Sequence, residues 1–130
     1  MIQLFHSHRR AFSSIAAEAE LGPSQLQLLM SIKPERAAPM SELADALYCD
    51  ASYITSLVDK LEARGLLERR PSPGDRRVKL IALTPEGEAM RAQLMQRVFQ
   101  PPSSIAALSE ADRNALRDIL TRALADAPAA

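Results

Sequence analysis

The sequence has a single cysteine, Cys49, so no disulfide can form within the chain and a cysteine-based zinc site is implausible. It has no net charge, because sixteen basic residues balance sixteen acidic ones, and any binding of nucleic acid must therefore rest on a local patch. No apolar run approaches the roughly 18 residues of a membrane helix, and MIQLFHSHRR at the start does not predict a signal peptide. These absences predict a soluble, cytoplasmic protein without a membrane partner.

Signals of catalysis and of metal binding are also missing. The chain shows no serine, histidine and carboxylate arrangement, no glycine-rich phosphate loop and no carboxylate pair that would indicate an enzyme. His6 and His8 lie two residues apart, so on a helix they point to different sides, and further metal ligands are not found. We therefore expect neither an enzyme nor a metal or other cofactor.

Apolar residues recur at helical spacing over most of the chain, which predicts a mainly α-helical fold. The 130 residues correspond to about one domain, and 47% of them are hydrophobic, which is enough for a core. Helices are predicted over approximately residues 2–20, 25–32, 41–47, 51–65, 85–100 and 110–125. The residues predicted to cap the helices after the first are Ser24, Ser41, Asp50, Thr84 and Ser109.

The centre of the chain predicts a winged helix-turn-helix. Two short helices are separated by about three residues, and the second closes at Gly65, which is typical of a helix-turn-helix. Strands are predicted over residues 66–70 and 78–83, on either side of the turn sequence PSPGD, and such a hairpin is a wing. The fold class is therefore mainly α with a small antiparallel β-hairpin, flanked by amphipathic helices at both ends that we expect to pack against a partner.

The second helix of the pair, ASYITSLVDKLEARG, is predicted to offer its polar side to DNA. Its apolar stripe is formed by Ile54, Leu57, Val58 and Leu61, so the opposite side faces solvent. Short hydroxyl side chains and free amides at a helix start can meet phosphates and base edges. The alternative is an ordinary exposed helix start, where Ser and Thr are common. The residues on this side are Ser52, Tyr53, Thr55, Ser56, Asp59 and Lys60.

The hairpin gathers basic residues at a turn that proline and glycine force. Between residues 64 and 79 six basic residues stand against two acidic ones, a local excess of four positive charges. Arginines at a hairpin tip can enter the minor groove of DNA, and Asp75 is predicted to pair with one guanidinium and fix its orientation. A solvated charged loop is the alternative. The hairpin residues predicted to contact DNA are Arg69, Arg70, Asp75, Arg76, Arg77 and Lys79.

The run LVDKLEARGLLERRPSPGDRRVKLIALTPEG resembles the signature of the multiple antibiotic resistance regulator (MarR) family of winged-helix transcription factors. The order of the predicted helices follows that family over nearly the whole chain. Two positions depart from its pattern: Tyr53 stands where the family usually has a small polar residue, and Ser56 where many members have arginine. Tyr48 occupies the turn position that glycine often holds in helix-turn-helix proteins. The matching positions are Leu61-Glu62, Gly65-Leu66-Leu67, Asp75-Arg76-Arg77, Thr84 and Gly87.

The resemblance implies a homodimeric, sequence-specific transcriptional regulator, usually a repressor, on a pseudo-palindromic site in double-stranded DNA. Residues 1–22 and 101–130 would be dimerisation helices, residues 23–84 the DNA-binding domain, and residues 85–100 the helix that links them. The helix after Asp50 would enter the major groove and the hairpin the minor groove. By the same resemblance, Arg77 would be the inserting arginine and Asp75 its anchor.

A small aromatic or anionic effector is also implied, because many members of the family release DNA when such a ligand binds between the dimerisation and DNA-binding parts. Phe12, Met30 and Tyr48 are candidates for lining its pocket, although apolar residues at this spacing are more often core. Cys49 lies in the turn of the helix-turn-helix, where we expect an apolar plug rather than a redox sensor.

Two other functions fit the same sequence. A winged-helix adaptor would bind protein instead of DNA, and the neutral overall charge and the absence of arginine at position 56 agree with it. A ligand carrier built on the cleft of the dimer would need a pocket with convergent polar groups. The adaptor would tolerate the loss of the hairpin arginines, whereas the DNA-binding regulator would not.

Overall fold

Helices dominate the part of the chain that the computed structural model describes, residues 2–125, as the periodicity predicts. Residues 1 and 126–130, which belong to the two predicted dimerisation segments, lie outside this range. None of the described helices is long and apolar enough to cross a membrane. The elements are α1 (Ile2–Glu18), α2 (Pro23–Ser31), β1 (Ala38–Pro39), α3 (Met40–Ala46), α4 (Ala51–Ala63), β2 (Leu67–Pro71), β3 (Lys79–Leu83), α5 (Pro85–Val98), α6 (Ser103–Ala106) and α7 (Glu110–Ala125).

The chain divides into two compact units, Met1–Phe99 and Gln100–Ala130. The first unit holds a hydrophobic core to which helices α1 to α5 and all three strands contribute. Each buried leucine or isoleucine contributes about 1.5–3 kcal/mol relative to an exposed one, so this core fixes the helices around it. The largest fully buried side chains are those of Leu26, Leu28, Leu29, Ile32, Leu43, Ile54, Val58, Leu61, Leu67 and Ile81.

The second unit contains the short helix α6 and the longer α7. Helix α6 was not predicted, because its four residues are too few for a periodic pattern. Ser109 caps α7 as predicted, since its hydroxyl accepts a hydrogen bond from the backbone N–H of Asp112 at 3.1 Å. No residue of α7 within Glu110–Ala125 is buried, and on its apolar side Leu116 is half-buried whereas Ile119, Leu120 and Leu124 are exposed.

The sheet is antiparallel and has three strands in the order β1-β3-β2. The predicted hairpin is confirmed: β2 pairs with β3 from Leu67 opposite Leu83 to Pro71 opposite Lys79. Strand β1 is not predicted from the sequence, because two residues that include a proline show no alternation. It pairs with the other edge of β3 and thereby attaches the segment before α3 to the wing.

Two of the predicted helix caps are wrong. Helix α2 begins at Pro23 with Gly22 as its N-cap, so Ser24 lies inside the helix. Proline at the first helical position needs no hydrogen-bond partner and has the right backbone angle, so the helix starts two residues earlier than predicted. Helix α3 begins at Met40 directly after β1, so Ser41 is likewise an internal residue.

The base of the wing and the start of α5 are joined at very short range. Thr84 caps α5 as predicted, with its hydroxyl accepting from the N–H of Gly87 at 3.0 Å and donating to the carbonyl of Gly65 at 2.5 Å. The N–H of Thr84 donates to the carbonyl of Leu66 at 3.1 Å. A Cβ at Gly87 would lie 2.0 Å from that same carbonyl oxygen, so only glycine permits the approach. Gly65 has a φ of 70°, the left-handed conformation predicted for the end of the preceding helix.

We predict that Gly87→Ala lowers the free energy of unfolding by about 1–3 kcal/mol, because the added methyl group forces α5 away from Leu66. Urea denaturation followed by circular dichroism measures this loss.

Gly74→Ala is the matched control, because a Cβ at Gly74 would have no atom within 4 Å. We expect it to change the free energy of unfolding by less than about 1 kcal/mol in either direction. Equal stability of the Gly87→Ala variant and the parent would contradict the close contact between α5 and the wing.

Candidate nucleic-acid interface

Helix α4 presents a continuous polar side to solvent. Its four buried residues are the apolar stripe identified in the sequence, so the helix is oriented as predicted. The exposed side is therefore set by core packing and not by local polar contacts. The exposed residues on it are Ser52, Tyr53, Thr55, Ser56, Asp59 and Lys60.

The first turn of α4 is capped by Asp50, as predicted. One carboxylate oxygen accepts hydrogen bonds from the N–H of Tyr53 and the hydroxyl of Ser52, both at 2.8 Å. These two bonds, the backbone one first, hold the pKa of the Asp50 carboxyl below its ordinary value. The carboxylate also offsets part of the positive end of the helix dipole, so the attraction of this helix start for a phosphate is weaker than the sequence suggested.

Most hydroxyls on the exposed side of α4 are already engaged within the chain. Besides the bond from Ser52, the Thr55 hydroxyl donates to the carbonyl of Ala51 at 2.7 Å. The Tyr53 hydroxyl donates to that of Ser24 at 3.0 Å, which ties the start of α4 to the start of α2. Within residues 2–125 the Ser56 hydroxyl has no hydrogen-bond partner. Of the predicted contacts, Ser56 and the ring of Tyr53 are thus the most available to a base edge.

The turn before α4 contains a tyrosine in the left-handed conformation. Tyr48 has a φ of 52°, a region that glycine prefers, and it occupies the turn position that glycine often holds in helix-turn-helix proteins. Its side chain is 82% exposed, whereas Cys49 next to it is half-buried against the core. Phe12 and Met30 also pack against the core, so the structure does not place the three predicted pocket residues in one environment.

A shallow cavity of about 410 Å³ lies elsewhere, on α1. It is lined by His6, Arg9, Arg10 and Ser13, and by none of the three predicted pocket residues. Among residues 2–125 no cluster of histidine, cysteine or carboxylate side chains has the arrangement of a metal site.

Backbone hydrogen bonds shape the tip of the hairpin. The carboxylate of Asp75 accepts from the N–H of Arg77 at 2.9 Å, and its carbonyl accepts from the N–H of Val78 at 3.0 Å. The predicted pairing of Asp75 with a guanidinium is therefore wrong: within residues 2–125 its side chain contacts only the backbone of Arg77. Asp75 fixes the course of the turn, and the side chains of Arg76 and Arg77 remain exposed without an ion pair to any described residue.

The two arginines at the base of the hairpin differ from those at its tip. Arg69 binds Asp59 at 2.5 Å and Glu62 at 2.7 Å, both on α4, and the bond to Asp59 raises its pKa above the ordinary value. Arg70 pairs with Glu68 on its own strand, with 2.6 Å between Nε and Oε1. Among the predicted DNA-contacting residues, the cations without an ion pair in the described chain are Lys60, Arg76, Arg77 and Lys79.

Sequence reasoning missed a structural role for Arg64. Its guanidinium donates to the carbonyl oxygens of Glu20 at 2.7 Å and Ala19 at 3.1 Å, just after the end of α1. The contact joins the end of α4 to a segment more than forty residues away in sequence. No local pattern could reveal it, because the acceptors are backbone carbonyls.

Comparison with known proteins gives consistent results. A model of the MarR family matches residues 21–79, from the start of α2 to the start of β3. The multiple antibiotic resistance protein MarR of Salmonella typhimurium is 32% identical over 91 residues, 70% of this chain and 63% of that protein. The HTH-type transcriptional regulator PecS of Dickeya dadantii is 31% identical over 118 residues, 87% of this chain and 70% of that protein. The chain thus spans less than two thirds of the Salmonella relative.

Solved structures show the same fold. A mutant MarR from E. coli has a TM-score of 0.83 at 26% identity, with 94% of this chain and 91% of that chain covered. The same mutant complexed with operator DNA has a TM-score of 0.73 at 26% identity, with coverage of 94% and 89%.

Helices α3 and α4 are followed by a cationic hairpin, and α4 has one side buried in the core and a polar side exposed to solvent. This arrangement defines a winged helix-turn-helix protein. Together with the family model and the relatives, these features show that the chain belongs to the MarR family.

We predict that the cap at Asp50 makes the free energy of unfolding depend on pH in the acid range. A carboxyl whose pKa is lower in the folded state stabilises the fold above its unfolded pKa, about 3.9, and this stabilisation is lost as the pH falls through the folded pKa. Asp50→Asn should therefore be less stable than the parent at pH 7, and the difference should narrow below about pH 4. Urea denaturation at both pH values measures it.

Ser52→Ala removes only the second hydrogen bond to Asp50. The difference in the free energy of unfolding between this variant and the parent should therefore change less between pH 7 and about pH 4, the ordinary range of an aspartate pKa. Stability curves for parent and Asp50→Asn that stay parallel from pH 7 down to about pH 3 would show that the cap does not titrate as described.

Proposed function

We propose that this protein is a sequence-specific regulator of transcription, acting mainly as a repressor, that binds double-stranded DNA as a homodimer. The observation that carries the proposal is the exposed polar side of α4 followed by a hairpin whose base is bonded to α4 and whose tip has two exposed arginines without an ion pair among residues 2–125. A helix of this size fits the major groove, and an arginine-bearing hairpin fits the adjacent minor groove. The operator-bound E. coli relative has the same fold, which supports this assignment.

Base recognition belongs to the start of α4 in this proposal. Ser56 and the ring of Tyr53 are the groups free to meet base edges, while Ser52 and Thr55 approach the phosphates as short, already bonded side chains. Lys60, one turn further along, contacts the backbone of the duplex. Tyr53 replaces the small residue of the family pattern, so the preferred operator differs from those of relatives.

Electrostatic attraction comes from few groups. Lys60, Arg76, Arg77 and Lys79 are the cations of the interface that have no carboxylate partner in the described chain. With two subunits, eight contacts would give a slope of log affinity against log salt of about −7, at −0.9 per neutralised phosphate. The neutral overall charge therefore does not oppose DNA binding, because the four cations are concentrated on α4 and at the hairpin.

The homodimer is supported by apolar side chains that each end of the chain leaves exposed. In the first half of α1, Ile2 and Phe5 are exposed by 74% and 59%. On α7 Ile119, Leu120 and Leu124 are exposed by 53%, 49% and 75%. Residues 1–22 and 101–130 would bury these groups against a second copy, and residues 85–100 would link them to the DNA-binding domain, residues 23–84. A two-fold dimer requires a pseudo-palindromic operator.

Regulation of transcription also implies where the protein acts and what it binds besides DNA. The protein acts in the cytoplasm, where its DNA is, and it performs no catalysis and holds no cofactor. A small aromatic or anionic effector would bind between the dimerisation and DNA-binding parts and release the DNA. The adaptor alternative is less well supported, because the arginines of the hairpin tip have no ion pair among residues 2–125 and a protein of the same fold is complexed with operator DNA.

We predict that Arg77→Ala weakens DNA binding by about tenfold or more at every sequence tested, because a minor-groove and phosphate contact is lost. Arg70→Ala is the matched control on the same hairpin, since Arg70 is already paired with Glu68, and we expect a loss below about threefold. Gel shifts on the DNA that adjoins the protein's own gene, at two salt concentrations, measure both effects.

A nearly flat salt dependence, or an Arg77→Ala variant that binds as the parent does, would contradict DNA binding by this surface. Either result would favour the adaptor, for which the hairpin arginines are dispensable.

We predict that Tyr53→Ala changes which sequences are preferred, by roughly tenfold between the best and second-best sites, because the ring stands at the base-reading end of α4. Tyr53→Phe removes only the hydroxyl bonded to Ser24 and should keep the order of preference. Selection from a random duplex pool compares the three proteins. Identical selected sequences for parent and Tyr53→Ala would show that Tyr53 does not read the DNA.

A further inference from the structure

Arg69 connects the two elements that the proposed function assigns to adjacent grooves of DNA. We propose that Arg69, held by Asp59 and Glu62, is a positioning residue that sets the hairpin relative to α4, and that it makes no phosphate contact itself. This inference rests on the proposed function and assigns these three residues a role that differs from direct contact.

The geometry of the three side chains supports this role. Asp59 and Glu62 are three residues apart on α4 and therefore project on the same side of the helix. Each binds a different terminal nitrogen of the Arg69 guanidinium, at 2.5 Å and 2.7 Å. The Arg69 side chain is only 27% exposed, less than either carboxylate, so the two acids cover it from the helix side. Both terminal nitrogens are engaged, and the two carboxylates offset the positive charge of the group, which weakens its attraction for a phosphate.

The negative charges on α4 also support a positioning role for Arg69. Asp59 and Glu62 place two negative charges on a helix proposed to approach a polyanion, where they would repel it. Their pairing with Arg69 explains why a DNA-reading helix carries them. Ion pairs that solvent reaches contribute little to stability, so support of the fold alone is a weak reason for a triad of this kind. Its effect lies in where it holds the hairpin.

A small movement at Arg69 becomes a large one at the tip. Arg69 lies in β2 opposite Ile81, and the tip at Asp75 is six residues further on, about 20 Å along an extended chain. A tilt of about 10° at the base would move the tip by about 3 Å, half the roughly 6 Å width of the minor groove. The planar guanidinium binds two carboxylates in fixed directions and so restricts that tilt, which a lysine ammonium would not do.

Variants of the two carboxylates distinguish positioning from simple charge repulsion, because the two predict opposite changes in DNA affinity. Asp59→Asn and Glu62→Gln remove negative charge near DNA, so on electrostatic grounds alone they should strengthen binding. If the carboxylates position the hairpin, the double variant should instead bind a duplex selected by the parent about tenfold more weakly. Its binding to an unrelated duplex of equal length should be unchanged or tighter. Fluorescence anisotropy measures both, and thermal unfolding verifies that the variants are folded.

Glu68→Gln is the matched control, because it removes one acid that pairs with an arginine of the same strand without reaching α4. We expect it to leave specific binding unchanged or slightly tighter. Arg69→Lys keeps the charge but not the planar group, and we expect weaker binding to the selected duplex with the salt slope of the parent.

Two results would overturn the inference while leaving the proposed function intact. One is a double variant that binds the selected duplex as tightly as the parent or more tightly. The other is an Arg69→Gln variant whose salt slope is shallower by about 0.9 per subunit, which would identify Arg69 as a phosphate contact. A parent protein that selects no duplex from the pool would instead overturn the proposed function, and this inference with it.

Discussion

The burial of one side of α4 is the constraint on which the interface depends. Four apolar residues of this helix lie in the core, so the helix cannot rotate without exposing them, at about 1.5–3 kcal/mol for each. Because the helix is fixed, its polar side, its capped start at Asp50 and its two carboxylates all have defined directions. The hairpin, attached at Gly65 and seated on α5, then has a defined position beside it.

Arginines in this protein serve as connectors more often than as free charges. Arg64 binds backbone carbonyls after α1, Arg69 binds two carboxylates of α4, and Arg97 pairs with Glu18 between α5 and α1. The count of basic residues in the hairpin region therefore overstates the charge offered to a polyanion. In the hairpin, the cations without an ion pair to a described residue, Arg76, Arg77 and Lys79, lie at or next to the tip. In the proposed complex they would face the narrow minor groove, where the potential is most negative.

The sequence predicted the elements that local chemistry determines. The stripe of α4, the caps at Asp50 and Thr84, and the hairpin around PSPGD each depend on residues close in sequence, and the structure has them. Strand β1 and the starts of α2 and α3 were missed, because pairing with β3 and a proline at the first helical position outweigh the serine preference. The partners of Arg69 and of Asp75 required three-dimensional geometry, since several acids and cations lie within reach in the sequence.

The close contact between α5 and Leu66 also restricts which substitutions this part of the sequence can accept. No residue with a β-carbon fits at position 87 while the carbonyl of Leu66 stays where it is, so nineteen of the twenty amino acids are closed to that site. Its neighbours Glu86 and Glu88 are exposed and open to replacement. At this turn the structure therefore leaves room for other side chains on the outer side, whereas the contact between the wing and α5 requires glycine.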